Sequence, residues 1–317
     1  MDDKDRIQIR NIPQQSDFDW VTLPNSIPEV PGQISAGEAR YLYWLVSHTY
    51  RGWGAVVEIG TWLGKSTVTL AEGLKDSGKT GKIYSYDLFI WGGGDDNRKS
   101  GLNLKSQSDF MPYFLKNIEP LKNFIVPQKA DFSGIEWKKG SVEILFLDAP
   151  KSAQHFYQAL LNFIEVLEPG DSILVMQDYQ HPLSYELPLM VWGLEDYLVL
   201  NHAVSSGGTA SFNLKKRITP EALKKAFFNL EKIPESTAAQ AWEKILEPLN
   251  ESIYNRMALS SILHLYAIGA EDRAFASIEK IHLDKRMQGG INSWSKNEKL
   301  NQKFSGIFEA LAERSGE

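Results

Sequence analysis

The chain has 317 residues, a formal net charge of -6 and no cysteine. The lack of cysteine excludes disulfides, thiolate metal sites, iron–sulfur clusters and a cysteine nucleophile. The acidic balance argues against broad nucleic-acid binding. The first residues do not resemble a secretory leader, and no apolar run reaches the roughly 18 residues of a membrane span. We therefore expect a cytoplasmic protein with neither nucleic acid nor membrane as a partner.

Residues 1–34 carry four prolines and little periodicity, which predicts an irregular N-terminal arm. Two interpretations stay open for it: a loosely attached tail, or an arm that covers a substrate or contacts another subunit. Ser35 precedes Glu38 by three positions, which is the spacing of a capping box and predicts a helix start.

The next stretch of the chain alternates between short apolar runs and helical patterns. The runs predict strands at 55–59, 82–87, 124–128, 142–147 and 172–176, and a closing pair at 198–204 and 209–214. This alternation predicts an α/β fold with a doubly wound, mostly parallel seven-stranded sheet, in which the closing pair leaves an antiparallel strand at the edge.

Only helical signals follow that sheet, at 220–233, 237–249, 253–268, 272–281 and 297–314. The predicted organisation is an arm (1–34), an α/β core (35–215) and a helical C-terminal region (216–317). That last region is also where we expect a homodimer to form.

The strongest motif is VVEIGTWLGKS at residues 56–66, where a predicted strand passes through a glycine-bearing turn into a helix. Such a turn binds ligands at the helix N-terminus. A phosphate loop needs four residues between its first glycine and the Gly-Lys-Ser, whereas only three separate Gly60 from Gly64. A dinucleotide fingerprint needs glycine where Trp62 and Lys65 stand.

The remaining pattern has an acid, Glu58, two positions before the first glycine. Together with both glycines it resembles motif I of the class I S-adenosylmethionine-dependent methyltransferases. The form Glu-Ile-Gly-Thr-x-x-Gly-x-Ser is similar to the small-molecule O-methyltransferases, including the catechol type. The resemblance implies a Rossmann-like methyltransferase core that binds S-adenosylmethionine.

The resemblance also implies roles for residues after the later strands. Asp87, after the second strand, accepts the ribose hydroxyls, and Asp131 and Phe132 lie near the adenine. The implied cofactor-binding residues are Glu58, Gly60, Thr61, Gly64, Ser66, Asp87, Leu88, Asp131, Phe132 and Asp148.

The segment after the fourth strand has an Asp-x-x-Lys spacing, from Asp148 to Lys151. This spacing is similar to catechol-type enzymes, in which the aspartate binds a divalent cation and the lysine is the general base. The candidate bases in this chain are Lys151, Asp178 and His181. The candidate ligands for Mg²⁺ are Asp148, Asp178 and the amide of Gln177.

The chain departs from the sugar and macrolide O-methyltransferases that it also resembles. That group usually shows Asp-Gly-Asp and Asp-Asp-Tyr, whereas this chain has Asp148-Ala149-Pro150 and Gln177-Asp178-Tyr179. Two customary carboxylates are missing, so a metal requirement stays open.

The predicted activity is methyl transfer from S-adenosylmethionine to a hydroxyl of a small molecule, either a sugar or a secondary metabolite. Trp20, Trp62 and Trp91 suit a planar or sugar acceptor, and the loop at 90–108 is long enough for a lid. Two alternatives stay open: an NAD-dependent oxidoreductase on a similar sheet, and a catalytically degenerate methyltransferase-like scaffold.

Overall fold

The computed structural model describes residues 17–93, 102 and 104–315. The chain divides into two compact units. Unit 1 comprises residues 1–150, 157–177 and 196–220, and unit 2 comprises residues 151–156, 178–195 and 221–317. None of the described helices is both long and apolar enough to span a bilayer.

Unit 1 contains one seven-stranded sheet in the order β3-β2-β1-β4-β5-β7-β6. Its strands are β1 (Ala55–Ile59), β2 (Ile83–Asp87), β3 (Ile125–Lys129), β4 (Val142–Leu147), β5 (Ile173–Met176), β6 (Leu198–Ala203) and β7 (Ala210–Leu214). The first five strands are parallel, and β7 is antiparallel to both of its neighbours. The predicted doubly wound, mostly parallel sheet is therefore confirmed.

The position of the antiparallel strand differs from the expectation. It lies inside the sheet between β5 and β6, and β6 forms the edge. Burial explains the order, because four of the five β7 residues are buried, whereas β6 exposes Val199. The other edge is β3, which has β2 as its only neighbour, so Pro127 removes no hydrogen bond from a second neighbour.

The centre of the sheet is buried on both faces. All six residues of β4 are buried, as expected for a parallel strand that is covered on each side. The flanking helices of unit 1 are α1 (Ser26–Glu29), α2 (Ala36–Trp44), α3 (Lys65–Ser77) and α4 (Met111–Ile118). The predicted capping box opens α2: Glu38 N donates to Ser35 Oγ, and Ser35 N donates to Glu38 Oε2.

The described part of the N-terminal arm is packed into unit 1. Phe18 is fully buried, and its ring lies 5.3 Å from that of Tyr41 and 4.8 Å from that of His202. Ser206 N donates to Asp17 Oδ1 at 2.7 Å. These contacts exclude a loose tail for residues 17–34, whereas residues 1–16 lie outside the described part of the chain.

Unit 2 is helical. Helix α5 (Ala153–Leu161) begins in it, and the further helices are α6 (Glu186–Gly193), α7 (Pro220–Glu231), α8 (Glu235–Leu246), α9 (Glu251–Ala267), α10 (Glu271–Ile278), α11 (Lys285–Ser295) and α12 (Glu298–Ser315). Helix α11 was not predicted, because Gly289 and Gly290 stand in its middle and each glycine costs about 1 kcal/mol relative to alanine. Asp284 caps this helix by accepting from Met287 N.

Candidate functional site

The turn between β1 and α3 depends on Gly60. Its φ is +94°, and a Cβ there would lie 2.5 Å from the amide nitrogen of Ala149. The amides of Asp148 and Ala149 both donate to the carbonyl of Ile59, at 2.8 and 2.9 Å. The carboxyl ends of β1 and β4 are therefore in direct contact, and only glycine fits at position 60.

Gly64 ends this turn and stands directly before α3. Its φ is +96°, and no side chain of the described residues caps the helix that follows. A Cβ at this position would lie 3.2 Å from the ring of Phe114. The N-terminal end of α3 thus presents backbone amides and the positive end of the helix dipole, which is suited to a polar ligand.

Asp87 at the end of β2 holds the turn in place. Its Oδ2 accepts from the backbone amides of Thr61 at 2.8 Å and Trp62 at 3.2 Å, and its Oδ1 accepts from Phe89 N at 2.8 Å. The carboxylate is half-buried; Oδ2 also accepts from Thr61 Oγ1 at 3.4 Å, whereas Oδ1 can accept one further hydrogen bond. The predicted ribose-binding residue therefore lies directly against the predicted cofactor turn.

An aromatic cluster borders the same turn. Trp62 has a φ of +46°, a left-handed conformation that a bulky residue keeps only when its surroundings fix it. Its ring centroid lies 4.4 Å from that of Trp91 and 4.9 Å from that of Phe110. Two of the three tryptophans expected to contact an acceptor are thus together, whereas Trp20 packs on Phe18.

The stem of the predicted lid loop is closed by backbone pairing. Trp91 N donates to Ser108 O, and Gln107 N donates to Trp91 O. Residues 94–101 and 103, including Gly94, Asp95 and Asp96, lie outside the described residues, so the lid stays a prediction.

Glu58 lies at the base of the turn and is fully buried. Its Oε2 accepts from Thr67 Oγ1 at 2.5 Å and from Ser85 Oγ at 2.9 Å, so it joins β1 to α3 and to β2. Burial raises the pKa of Glu58 to about 7, although hydroxyl groups, including that of Ser66, oppose the shift. Its Oε1 has no hydrogen-bond partner among the described residues.

The remaining predicted cofactor residues are more exposed. Asp131 Oδ1 accepts from Ser133 Oγ and Gly134 N, and the bond from Ser133 is the main reason why the pKa of Asp131 is lowered. Phe132 is half-buried, and Leu88 is exposed. Asp148 is half-buried, and its charge helps to raise the pKa of Glu58.

The candidate Mg²⁺ ligands do not form a metal site. Both polar atoms of the Gln177 amide are used within unit 1: Nε2 donates to Glu38 Oε1 at 3.0 Å, and Oε1 accepts from Thr209 Oγ1 at 2.6 Å. In unit 2 the carboxylate of Asp178 pairs with Lys151. Among the described residues there is no group of three or more histidine or acidic side chains that could hold an ion. The predicted Mg²⁺ site is not supported.

The three candidate bases come together in unit 2. Lys151 forms an ion pair with Asp178, and His181 N donates to the carbonyl of Asp178 at 3.1 Å. Burial lowers the pKa of His181, with Lys151 and Arg286 adding to that shift and Asp178 opposing it. The Trp294 ring lies 5.8 Å from the His181 ring in an edge-to-face arrangement.

Arg286 and Trp294 were missed by the sequence analysis. They lie on α11, the helix hidden by its two glycines. An arginine and a tryptophan on one surface helix carry no signal that points to a site 100 residues earlier in the chain.

Comparison with known proteins gives one family match. Residues 57–179 match the family model described as a methyltransferase domain. No curated protein matches the chain.

Several solved structures are similar at low identity. The O-methyltransferase NovP is 14% identical over 56% of this chain and 79% of its own, with a TM-score of 0.43. An O-methyltransferase from Bacillus cereus in complex with SAH is 16% identical over 62% of this chain and 93% of its own, with a TM-score of 0.42. The SAH-bound Podospora anserina methyltransferase PaMTH1 is 13% identical over 68% of this chain and 96% of its own, with a TM-score of 0.44.

Proposed function

We propose that the chain, whose residues 57–179 match the model of a methyltransferase domain, is a class I S-adenosylmethionine-dependent methyltransferase that methylates a hydroxyl of a small molecule, either a sugar or a secondary metabolite. The proposal is supported by the hydrogen bonds that Asp87 accepts from the amides of Thr61 and Trp62. They place a carboxylate that can bind the ribose of a nucleoside against a turn bounded by two glycines. The same proposal includes a location in the cytoplasm and a homodimer that forms through the C-terminal helices. It also includes the division of the chain into an arm, a core and a helical region at residues 34 and 215.

The residues around the turn fit a nucleoside cofactor with a charged amino-acid tail. Asp87 keeps acceptor capacity at Oδ1 for a ribose hydroxyl while it holds the turn. Glu58 Oε1 is a buried acceptor with no partner among the described residues, which suits an ammonium group or a water that bridges to one. Asp131 and Phe132 remain candidates for the adenine side of the site.

S-adenosylmethionine supplies a methyl group already activated by its sulfonium. The protein therefore has to orient the acceptor and take its proton. Of the three candidate residues, His181 is best suited to be the general base, because burial lowers its pKa and keeps the imidazole neutral at pH 7. Lys151 is paired with Asp178, which favours its charged form, so we assign it to hydrogen bonding with the acceptor oxygen.

The first experiment is calorimetry of the full chain with S-adenosylhomocysteine. We expect binding in the micromolar range, and the absence of binding would overturn the proposal. The second experiment incubates the protein with S-adenosylmethionine and hydroxylated aromatic and sugar probes, and detects the methylated product by mass spectrometry. The His181→Gln variant is expected to bind the cofactor normally and to lose most of the turnover.

The departures at Ala149-Pro150 and Gln177 favour one second candidate, a degenerate methyltransferase-like scaffold. It would bind S-adenosylhomocysteine and methylate none of the probes. The oxidoreductase alternative would instead bind NAD in the same calorimetric experiment.

A further inference from the structure

His181, the proposed general base, is fixed through its backbone. Its amide nitrogen donates to the carbonyl of Asp178 at 3.1 Å, and its own carbonyl accepts from Ser184 N at 2.8 Å. The imidazole is held differently, because no residue in the described part of the chain forms a hydrogen bond with either of its nitrogens. A general base is ordinarily oriented by a third group. Within the described residues, the group that orients this ring has to act by packing.

The aromatic ring that packs on this imidazole is that of Trp294. The two ring centroids are 5.8 Å apart and the ring planes meet at 64°, which is an edge-to-face arrangement. Favourable aromatic pairs have centroids about 4.5–7 Å apart and include this geometry. Both residues belong to unit 2, and both side chains are half-buried. An edge-to-face contact depends on the angle between the rings, so it can fix the plane of the imidazole without using its nitrogens.

Gly290 leaves the space that the indole occupies. A long side chain on a helix points back over the residue four positions earlier, which for Trp294 is Gly290. A Cβ at Gly290 would lie 3.2 Å from Cζ2 and 3.3 Å from Cη2 of the indole, closer than ordinary van der Waals contact. A Cβ at the neighbouring Gly289 would meet nothing within 4 Å. A side chain at position 290 therefore displaces the indole, whereas position 289 has room for one.

Helix α11 gives the indole a fixed support. Asp284 caps the first turn by accepting from Met287 N at 2.8 Å, and Met287 and Ile291 are buried. Trp294 follows Ile291 by three positions, in the last turn of the same helix. The indole is therefore attached to an element that is held by a cap and by two buried side chains.

We propose that Trp294 is a positioning residue for His181: its indole fixes the plane of the imidazole, and Gly290 provides the space for that indole. This inference rests on the proposed function, in which His181 takes the proton of the acceptor. It gives helix α11 of the C-terminal region a part in the reaction, through its contact with the base.

The contact is tested by NMR of the full chain with ¹³C-labelled histidine and tryptophan, in which the His181→Gln variant identifies the signals of His181. We expect nuclear Overhauser effects between the imidazole protons of His181 and the indole protons of Trp294. Gly290→Val should abolish them. Gly289→Val is the matched control, because it makes the same change of residue in the same helix, and it should keep them. Absence of these effects in the wild type, or their persistence in Gly290→Val, would overturn the proposal.

The part in the reaction is tested by methyl transfer from S-adenosylmethionine to hydroxylated aromatic and sugar probes, beginning with catechol and glucose. Calorimetry with S-adenosylhomocysteine gives the concentration of binding-competent protein for each variant. Trp294→Leu should lower kcat about tenfold, as for a slightly misplaced catalytic group, and leave the KM for S-adenosylmethionine within about twofold of wild type. Trp294→Phe keeps an aromatic ring and should recover most of kcat.

Two kinetic outcomes would overturn the proposal. One is a wild-type kcat in Trp294→Leu, and the other is a kcat in Trp294→Phe that is as low as that of Trp294→Leu. Failure of the wild type to bind S-adenosylhomocysteine, or to methylate any probe of the set, would instead overturn the proposed function. The NMR experiment needs neither cofactor nor acceptor, so it decides the contact between Trp294 and His181 in either case.

Discussion

The amide of Gln177 donates from Nε2 to Oε1 of Glu38 at 3.0 Å, and both side chains are buried. The same carboxylate oxygen accepts from the amides of Gly208 at 2.7 Å and Thr209 at 3.1 Å. Glu38 thus connects the start of α2, the residue after β5 and the β6–β7 connection. A hydrogen-bond donor is required at position 177, which is a physical reason for glutamine at this position.

The Gln177→Glu variant should lose about 3 kcal/mol of unfolding free energy at pH 8, because two carboxylates would share a buried site. Part of the loss should be recovered at pH 5, where one carboxyl group takes up a proton. Urea denaturation at the two pH values measures both effects. Gln177→Met is the control, since it removes the hydrogen bonds without adding charge; identical behaviour of the two variants at both pH values would contradict the prediction.

The Asp87→Asn variant should bind S-adenosylhomocysteine at least about tenfold more weakly. One amide oxygen cannot accept from Thr61, Trp62 and Phe89 together, so the turn is released and an acceptor for the ribose is lost. Calorimetry gives the affinity. Asp76→Asn serves as control, because its carboxylate accepts from Tyr43 in an exposed position. Wild-type affinity in Asp87→Asn would remove Asp87 from the site.

Glu58 makes the stability of the protein depend on pH. Its pKa in the folded state is about 7, above the ordinary value of 4.5, so the folded chain holds a proton that the unfolded chain releases. The stabilising contribution is complete below pH 4.5 and is lost as the pH rises to 7, by about 3 kcal/mol. Glu58→Gln cannot titrate, and its unfolding free energy relative to wild type should rise between pH 5 and pH 8. A constant difference across that range would refute the assignment.

His264, in unit 2, makes the unfolding free energy depend on pH in the opposite direction from Glu58. Its Nδ1 accepts from Trp242 Nε1 at 3.0 Å, and burial lowers its pKa to about 4. Below pH 6.5 the unfolded chain binds a proton at His264, whereas the folded chain does not until the pH reaches about 4. About 3 kcal/mol of unfolding free energy is therefore lost between pH 6.5 and pH 4. His264→Asn keeps an acceptor for Trp242, and denaturation curves should show a smaller acid-side loss for this variant than for wild type. An equal loss in both proteins would show that another group controls acid unfolding.

The strands of the sheet could be predicted because each buried parallel strand is a short, continuous run of apolar residues in the sequence. β1 and β4 were predicted with their observed bounds. The capping box of α2 was also local, since Ser35 and Glu38 bond to each other. The turn at Gly60 and its relation to Asp87 followed from the motif, because both residues terminate neighbouring strands.

The features that escaped prediction depend on partners far along the chain. The environment of Gln177 is set by Glu38 and Thr209, and no spacing rule connects these three positions. Helix α11 escaped because glycine lowers helix propensity locally, whereas packing of Met287 and Ile291 stabilises it. Trp294 could not be linked to His181 before that helix was known.

The packing of Phe18 and Asp17 has a consequence for synthesis on the ribosome. Asp17 bonds to Ser206, which is 189 positions later in the chain. At about 5–20 residues per second, roughly 10–40 s separate the translation of these two residues. Until the β6–β7 connection has emerged, an aromatic segment that belongs in the core stays uncovered, and contacts of such long sequence separation form slowly. The segment around Phe18 is therefore incompletely buried in the nascent chain until the β6–β7 connection has been made.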